Sequence, residues 1–270
     1  MRKGINETAA RLLATLSGHE KDIFTLQDVR QTVQIHPRYL ENLLQDLVAR
    51  GWLKRLQRGT YMVLPLKAGV EGHFSEHPFV LAAHLARPAV ISYWSALNYY
   101  GFTEQIPGTI FVSTTMKKRN LNITILGIRF KFVLLSREKL FGAQKAWVDS
   151  TSIEITDPER TILDAFDHPE YCGGIVESCK SAVNAWKDLD RQKLLEYLDR
   201  MRNSSVAKRL GFSLEIFGVA EESFIKSLAE RVKKGYSRLD PSAPAQGRYV
   251  AKWNLQANVD EYYLKAWGRT

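Results

Sequence analysis

The chain has 270 residues, of which 45% are hydrophobic and 11% aromatic, and a formal net charge of +9. That length and composition allow two domains with substantial cores and exclude a low-complexity or disordered protein. Two cysteines, Cys172 and Cys179, are too few for a secreted disulfide scaffold, and no apolar run reaches transmembrane length, so a cytoplasmic protein is expected.

Residues 5–16 predict a first helix with Ile5, Ala9, Leu12, Leu13 and Leu16 on its buried side. After Phe24, the run Thr25-Leu26-Gln27-Asp28 has the form of a capping box, with a short helix through Val29 behind it. A turn at Ile35-His36-Pro37 leads into a helix ending at Arg50. Pro37 suits the first helical position and Gly51 the left-handed stop. Leu40, Leu43, Leu44, Leu47 and Val48 form one apolar stripe. At about 100° per residue the opposite face centres on Arg38, Asn42, Gln45 and Ala49. A guanidinium, two carboxamides and one small residue suit close approach to base edges and phosphates. Trp52 to Leu64 then reads as a hairpin with a basic, glycine-bearing tip, in which Lys54, Arg55 and Arg58 would contact phosphates and Tyr61 would pack.

This is the pattern of a winged helix-turn-helix at residues 1–68. Residues 1–67 hold eleven Lys and Arg against six Asp and Glu, and the other 203 hold 27 against 23. A quarter of the chain thus carries over half of the excess charge, which favours a polyanionic partner for that quarter. Lys67 to Gly72, with two glycines and little periodicity, is expected to be the linker.

Residues 74–270 are expected to form a mixed α/β domain with a helical C-terminal portion, making the protein α/β (α+β) as a whole. Helices are predicted at 78–85, 92–100 and 158–166, and strands at 110–114, 122–126, 128–135 and 152–155. Residues 122–135 form a hairpin about Gly127. Beyond Gly173-Gly174, helices are expected at 175–186, 190–201, 204–217 and 221–232, then a last strand at 249–255. Cys172 and Cys179 are placed in one helix as buried free thiols.

Two polar segments leave alternatives open. Asp157-Pro158-Glu159-Arg160 is either a helix cap, with Arg160 and Asp164 paired on an exposed face, or a functional surface. Lys117-Lys118-Arg119 is either a charged hairpin tip or a second contact for nucleic acid or a protein. His73 and His77 lack a third ligand at diagnostic spacing, so no metal is expected. No phosphate loop, nucleophile elbow or paired CxxC is present, so neither a cofactor nor a catalytic residue is expected.

Three segments of the second region, joined to the N-terminal module, resemble the AbiEi family: 91–101 (ISYWSALNYYG), 110–115 (IFVSTT) and 155–164 (ITDPERTILD), the last running on through His168 to Gly174. The conjunction is more specific than a winged helix alone. The resemblance implies an antitoxin of a type IV toxin–antitoxin pair, of the kind met in phage-defence loci. Its N-terminal domain would repress its own operon on double-stranded promoter DNA, and its C-terminal domain would counter a nucleotidyltransferase-like toxin without needing a lasting complex. On that reading Lys117, Lys118, Arg119, Asp157, Glu159 and Arg160 are candidate residues of the antitoxin surface. The alternatives are a stand-alone regulator with a sensing domain, and a catalytic antitoxin that modifies the toxin or its RNA target.

Overall fold

The computed structural model describes residues 4–18, 22–33, 35–64 and 77–266. The expected linker at 67–72, the boundary at 68–74 and His73 lie outside these residues. The chain is a mixed α/β protein that divides into two compact units, 1–87 and 88–270.

The first unit begins with α1 (Glu7–Gly18), two residues later than its apolar pattern, because the Asn6 side chain caps it by accepting from the Ala9 N–H at 2.9 Å. There follow β1 (Ile23–Thr25), α2 (Leu26–Thr32), α3 (Pro37–Ala49), β2 (Leu53–Gln57) and β3 (Thr60–Val63). The three strands form an antiparallel sheet in the order β1-β3-β2. Leu12, Leu16, Phe24, Val29, Leu40, Leu44 and Leu47 are buried in one cluster. Tyr61 packs into it, its ring 5.9 Å from that of Phe24. The capping box is present: Thr25 accepts from the Asp28 N–H, and Asp28 accepts from the Thr25 N–H at 2.7 Å. Pro37 occupies the first turn of α3, and Gly51 takes φ +76° after it. Helix α4 (Pro78–Leu85) belongs to this unit, where the Gln57 side chain donates to the Leu85 carbonyl at 3.3 Å. His77 uses Nδ1 to accept from the Phe79 N–H at the head of α4.

The second unit is built on a six-stranded mixed sheet. Its strands are β4 (Val90–Ile91), β5 (Thr109–Thr114), β6 (Asn122–Ile125), β7 (Ile128–Leu134), β8 (Ala143–Val148) and β9 (Thr151–Thr156), in the order β6-β7-β5-β4-β9-β8. Helix α5 (Tyr93–Tyr99) follows β4, and α6 (Pro158–Asp167) follows β9. Helices α7 (Ile175–Ala185), α8 (Arg191–Met201) and α9 (Ser204–Phe217) pack around α6, and α10 (Glu222–Glu230) packs on α9. A core of Phe102, Phe111, Phe166, Trp186, Leu210 and Trp253 joins them.

Three expectations are corrected here. Strand β8 escapes detection because Ala143-Gln144-Lys145-Ala146-Trp147-Val148 has one β-branched residue and four exposed positions; its in-register pairing with β9 makes it a strand. The single last strand is in fact β11 (Arg248–Val250) and β12 (Leu255–Ala257), separated by a 3-10 turn that buries Trp253 completely. With β10 (Ser237–Arg238) they form a small sheet in the order β10-β12-β11, before a short α11 (Glu261–Lys265). Cys172 lies in the turn before α7 rather than in the helix with Cys179; both are buried free thiols, pushed above their ordinary pKa by burial.

Candidate nucleic-acid interface

In the first unit, local chemistry puts the polar face of α3 outward. Leu40, Leu43, Leu44 and Leu47 are buried, which fixes the rotation of the helix and leaves Arg38, Asn42, Gln45 and Ala49 exposed. In the wing, the register shifts between Arg55 and Gln57, so that Leu56 turns inward while Lys54 and Arg55 stay exposed. Arg58 is exposed at the tip. None of Arg38, Asn42, Gln45, Lys54, Arg55 and Arg58 has a side-chain hydrogen bond or ion pair among the described residues. The contrast is with Arg50, which is held by Asp46 at 2.8 Å. The six polar heads are therefore open to an external partner. Tyr39, 45% exposed beside Arg38, was given no role from sequence, because one aromatic next to a charged residue has no pattern to betray it.

The second unit treats its candidate residues differently. Asp157 caps α6, accepting from the Arg160 N–H at 2.8 Å. Its second oxygen accepts from the Tyr197 hydroxyl at 2.8 Å and meets Lys193 Nζ at 3.1 Å. Glu159 meets the same ammonium at 2.9 Å and accepts from the Asp190 N–H at 2.8 Å. Arg160 Nε donates to Asp164 at 2.8 Å, and its guanidinium lies over Phe141 at 4.3 Å. Asp157, Glu159, Arg160 and Asp164 are all 4% exposed or less. The expected exposed Arg160–Asp164 pair is thus corrected to a buried one, and the three candidate surface residues face inward: Asp157 and Glu159 hold α6 to α8, and Arg160 packs between Asp164 and Phe141. Lys193 and Tyr197, which complete the cluster, were missed: they stand more than thirty residues further on, and only the packing of α8 brings them in.

Charge in the cluster shows in its proton affinities. Burial pushes Asp164 up to about 6, against the opposing pull of Arg160. Partial burial would lower Lys193, but hydrogen bonds to Glu159 and Asp157 carry it well above its ordinary value. Burial and its bond to Asp157 raise Tyr197 to about 12. Asp164 Oδ2 and Arg160 Nη1 are buried without a hydrogen-bond partner, so the pair satisfies only part of its polar capacity.

Lys117 and Arg119 are exposed, while Lys118 is half-buried with Nζ 4.3 Å over the Phe132 ring. Burial lowers the Lys118 pKa. Their segment is no hairpin tip, since β7 lies between β5 and β6, and the loop passes its end instead. No group of three or more His, Cys, Asp or Glu among the described residues is arranged to hold a metal ion. No described helix is long and apolar enough to cross a membrane.

Residues 11–63, from α1 to the end of β3, match the family described as "Transcriptional regulator, AbiEi antitoxin". This match covers the N-terminal module and supports a regulator or antitoxin role; the three second-region segments that resemble the family lie outside it. No curated protein matches the sequence. In fold, the chain is similar to the crystal structure of the RV2827C protein from Mycobacterium tuberculosis, with a TM-score of 0.69 over 99% of this chain and 97% of that one. At 16% identity the likeness is one of fold alone.

Proposed function

We propose that the chain is the antitoxin and autorepressor of a type IV toxin–antitoxin pair. Its first domain, residues 1–68, binds double-stranded promoter DNA, with α3 in the major groove and the wing on the backbone. Its second domain, residues 74–270, neutralises a nucleotidyltransferase-like toxin without acting as an enzyme, in the cytoplasm where both partners are made. The observation that carries the DNA half is the set of six unpartnered polar side chains on α3 and the wing. Exposed polar groups with no internal partner fit a ligand that supplies phosphates and base edges. The antitoxin half rests on the family match and on the resemblance of the second region. Of the residues first considered for the toxin-facing surface, Lys117 and Arg119 remain accessible, and the buried Asp157, Glu159 and Arg160 act by holding that domain's shape.

The test is binding of labelled promoter DNA by fluorescence anisotropy across a salt series. Arg38→Ala with Asn42→Ala is expected to relax sequence preference, at about 1–3 kcal/mol per good base contact. Lys54→Ala, Arg55→Ala and Arg58→Ala together are expected to weaken binding to every duplex and flatten the salt dependence. Unchanged affinity and salt slope in the triple variant would remove the wing from the interface. Co-expression with the adjacent gene, scored as growth rescue, tests the antitoxin half.

A further inference from the structure

The terminal three-stranded sheet carries a charge pattern that the winged helix does not explain. Residues 231–252 contain six Lys and Arg and one Asp. Residues 68–270 hold 27 Lys and Arg against 23 Asp and Glu, a surplus of four. This one segment therefore accounts for all of the second region's excess positive charge, and the rest of that region is slightly acidic.

Of these cations, the fold sets Arg238 in the sheet row of Tyr249, one of two exposed tyrosines. Arg238, Gln256 and Tyr249 stand in one register row across β10, β12 and β11, so their side chains share a face. Tyr236, two residues before Arg238, is 52% exposed and Tyr249 is 63% exposed; their rings meet edge to face at 4.8 Å. Leu255 on the opposite face is fully buried, while on this face Arg238 and Tyr249 are exposed and Gln256 between them is 9% exposed. Arg248 is paired with Glu261, and Lys252 with Glu215. Lys233, Lys234 and Arg238 are exposed and have no acidic partner among the described residues, and Arg238 Nη1 donates to the Ala243 carbonyl at 2.8 Å. Lys233 also lines a cleft of about 280 Å³ with Arg202 and Arg231, but Asp199 and Glu230 line it too, and Asp199 binds the Arg231 guanidinium at 2.8 Å. The mounting is firm. Lys208 and Arg209, both buried, donate to the carbonyls of Gly235 and Arg238, which ties the sheet to α9.

We propose that this face is a second nucleic-acid site, one that takes single-stranded RNA or DNA by stacking unpaired bases on Tyr236 and Tyr249 while Lys233, Lys234 and Arg238 track the backbone. Exposed aromatic faces beside unpaired cations are the elements of sequence-tolerant single-strand binding. A duplex keeps its base faces stacked and offers the tyrosines nothing, so the choice between strand states follows from the rings rather than from the charge. The site is independent of the winged helix and of the antitoxin reading.

The experiment uses the full chain and three fluorescein-labelled probes: an oligouridylate, an oligothymidylate and a duplex of random sequence. Tyr236→Ala with Tyr249→Ala is expected to weaken both single strands at least tenfold and leave the duplex unchanged; Tyr236→Phe with Tyr249→Phe is expected to retain binding, because the ring supplies the stacking. Lys233→Ala with Lys234→Ala is expected to lower the single-strand salt slope by about 1.4, from about 0.7 per phosphate contact. Both tyrosines are more than half exposed, and a thermal melt matching wild type verifies that the variants fold. Single-strand binding that survives the tyrosine change, or that is abolished by the triple wing change instead, overturns the proposal. Failure of the wild-type chain to bind either single strand at low salt also overturns it, and leaves an acidic protein surface as the occupant of the face.

Discussion

Replacing Arg160 by Ala separates a buried ion pair from an exposed one by magnitude. An exposed i,i+4 pair contributes only about 0.2–0.5 kcal/mol. Here both side chains are almost fully covered, 4% and 1% exposed, and Nε to Oδ1 is 2.8 Å. Removing one partner of such a pair leaves an uncompensated charge, at a cost of about 3–5 kcal/mol. The stacking of the guanidinium on Phe141 is lost as well. The pH dependence has a definite sign. The folded pKa of Asp164, about 6, lies above its ordinary 3.8, so the folded state binds the proton more tightly and stability falls as pH rises from about 4 through about 6. For wild type the fall is about 3 kcal/mol at most. Without Arg160 the carboxyl pKa rises further, and the variant's deficit grows with pH. Urea denaturation of wild type and Arg160→Ala at pH 5 and pH 8 measures this, with a deficit near 3–5 kcal/mol at pH 8 and a smaller one at pH 5. Arg160→Met with Asp164→Leu removes both charges and is expected to recover most of the loss. A deficit below about 1 kcal/mol at pH 8, or one larger at pH 5, would refute the argument from burial.

Asp157→Ala is expected to cost about 0.5–2 kcal/mol for the lost cap alone, and more because Tyr197 loses its acceptor and Lys193 one of its two; Asp157→Asn should keep the cap, as chemical denaturation would report. Gly211→Ala is expected to destabilise by about 1–3 kcal/mol or more, since a Cβ there would lie 2.1 Å from the buried Trp253 ring. A thermal melt equal to wild type would show that Trp253 yields. A fragment spanning 88–270, the second compact unit, is expected to fail in promoter binding and still rescue cells from the toxin; rescue that needs the first unit would take antitoxicity away from the second.

The winged helix was legible because its signals are local. Thr25 and Asp28 close a capping box within four residues, Pro37 and Gly51 bound α3, and four leucines at helical spacing settle which face turns outward. Most helices of the second unit and the β6–β7 hairpin were legible for the same reason, and the cap at Asp157 was too. Strand β8 was not, because its identity comes from pairing with β9 rather than from its own residues. Nor was the path of the Lys117–Arg119 loop, which depends on β7 inserting between strands that are neighbours in sequence. Spacing alone determined that Arg160 reaches Asp164; the packing of α6 among its neighbours decided that water does not. The two tyrosines of the terminal sheet lie thirteen positions apart and meet only because β10 and β11 flank β12. Caps and periodicity are properties of a few adjacent residues, whereas burial and the company a side chain keeps are set by segments distant in the chain.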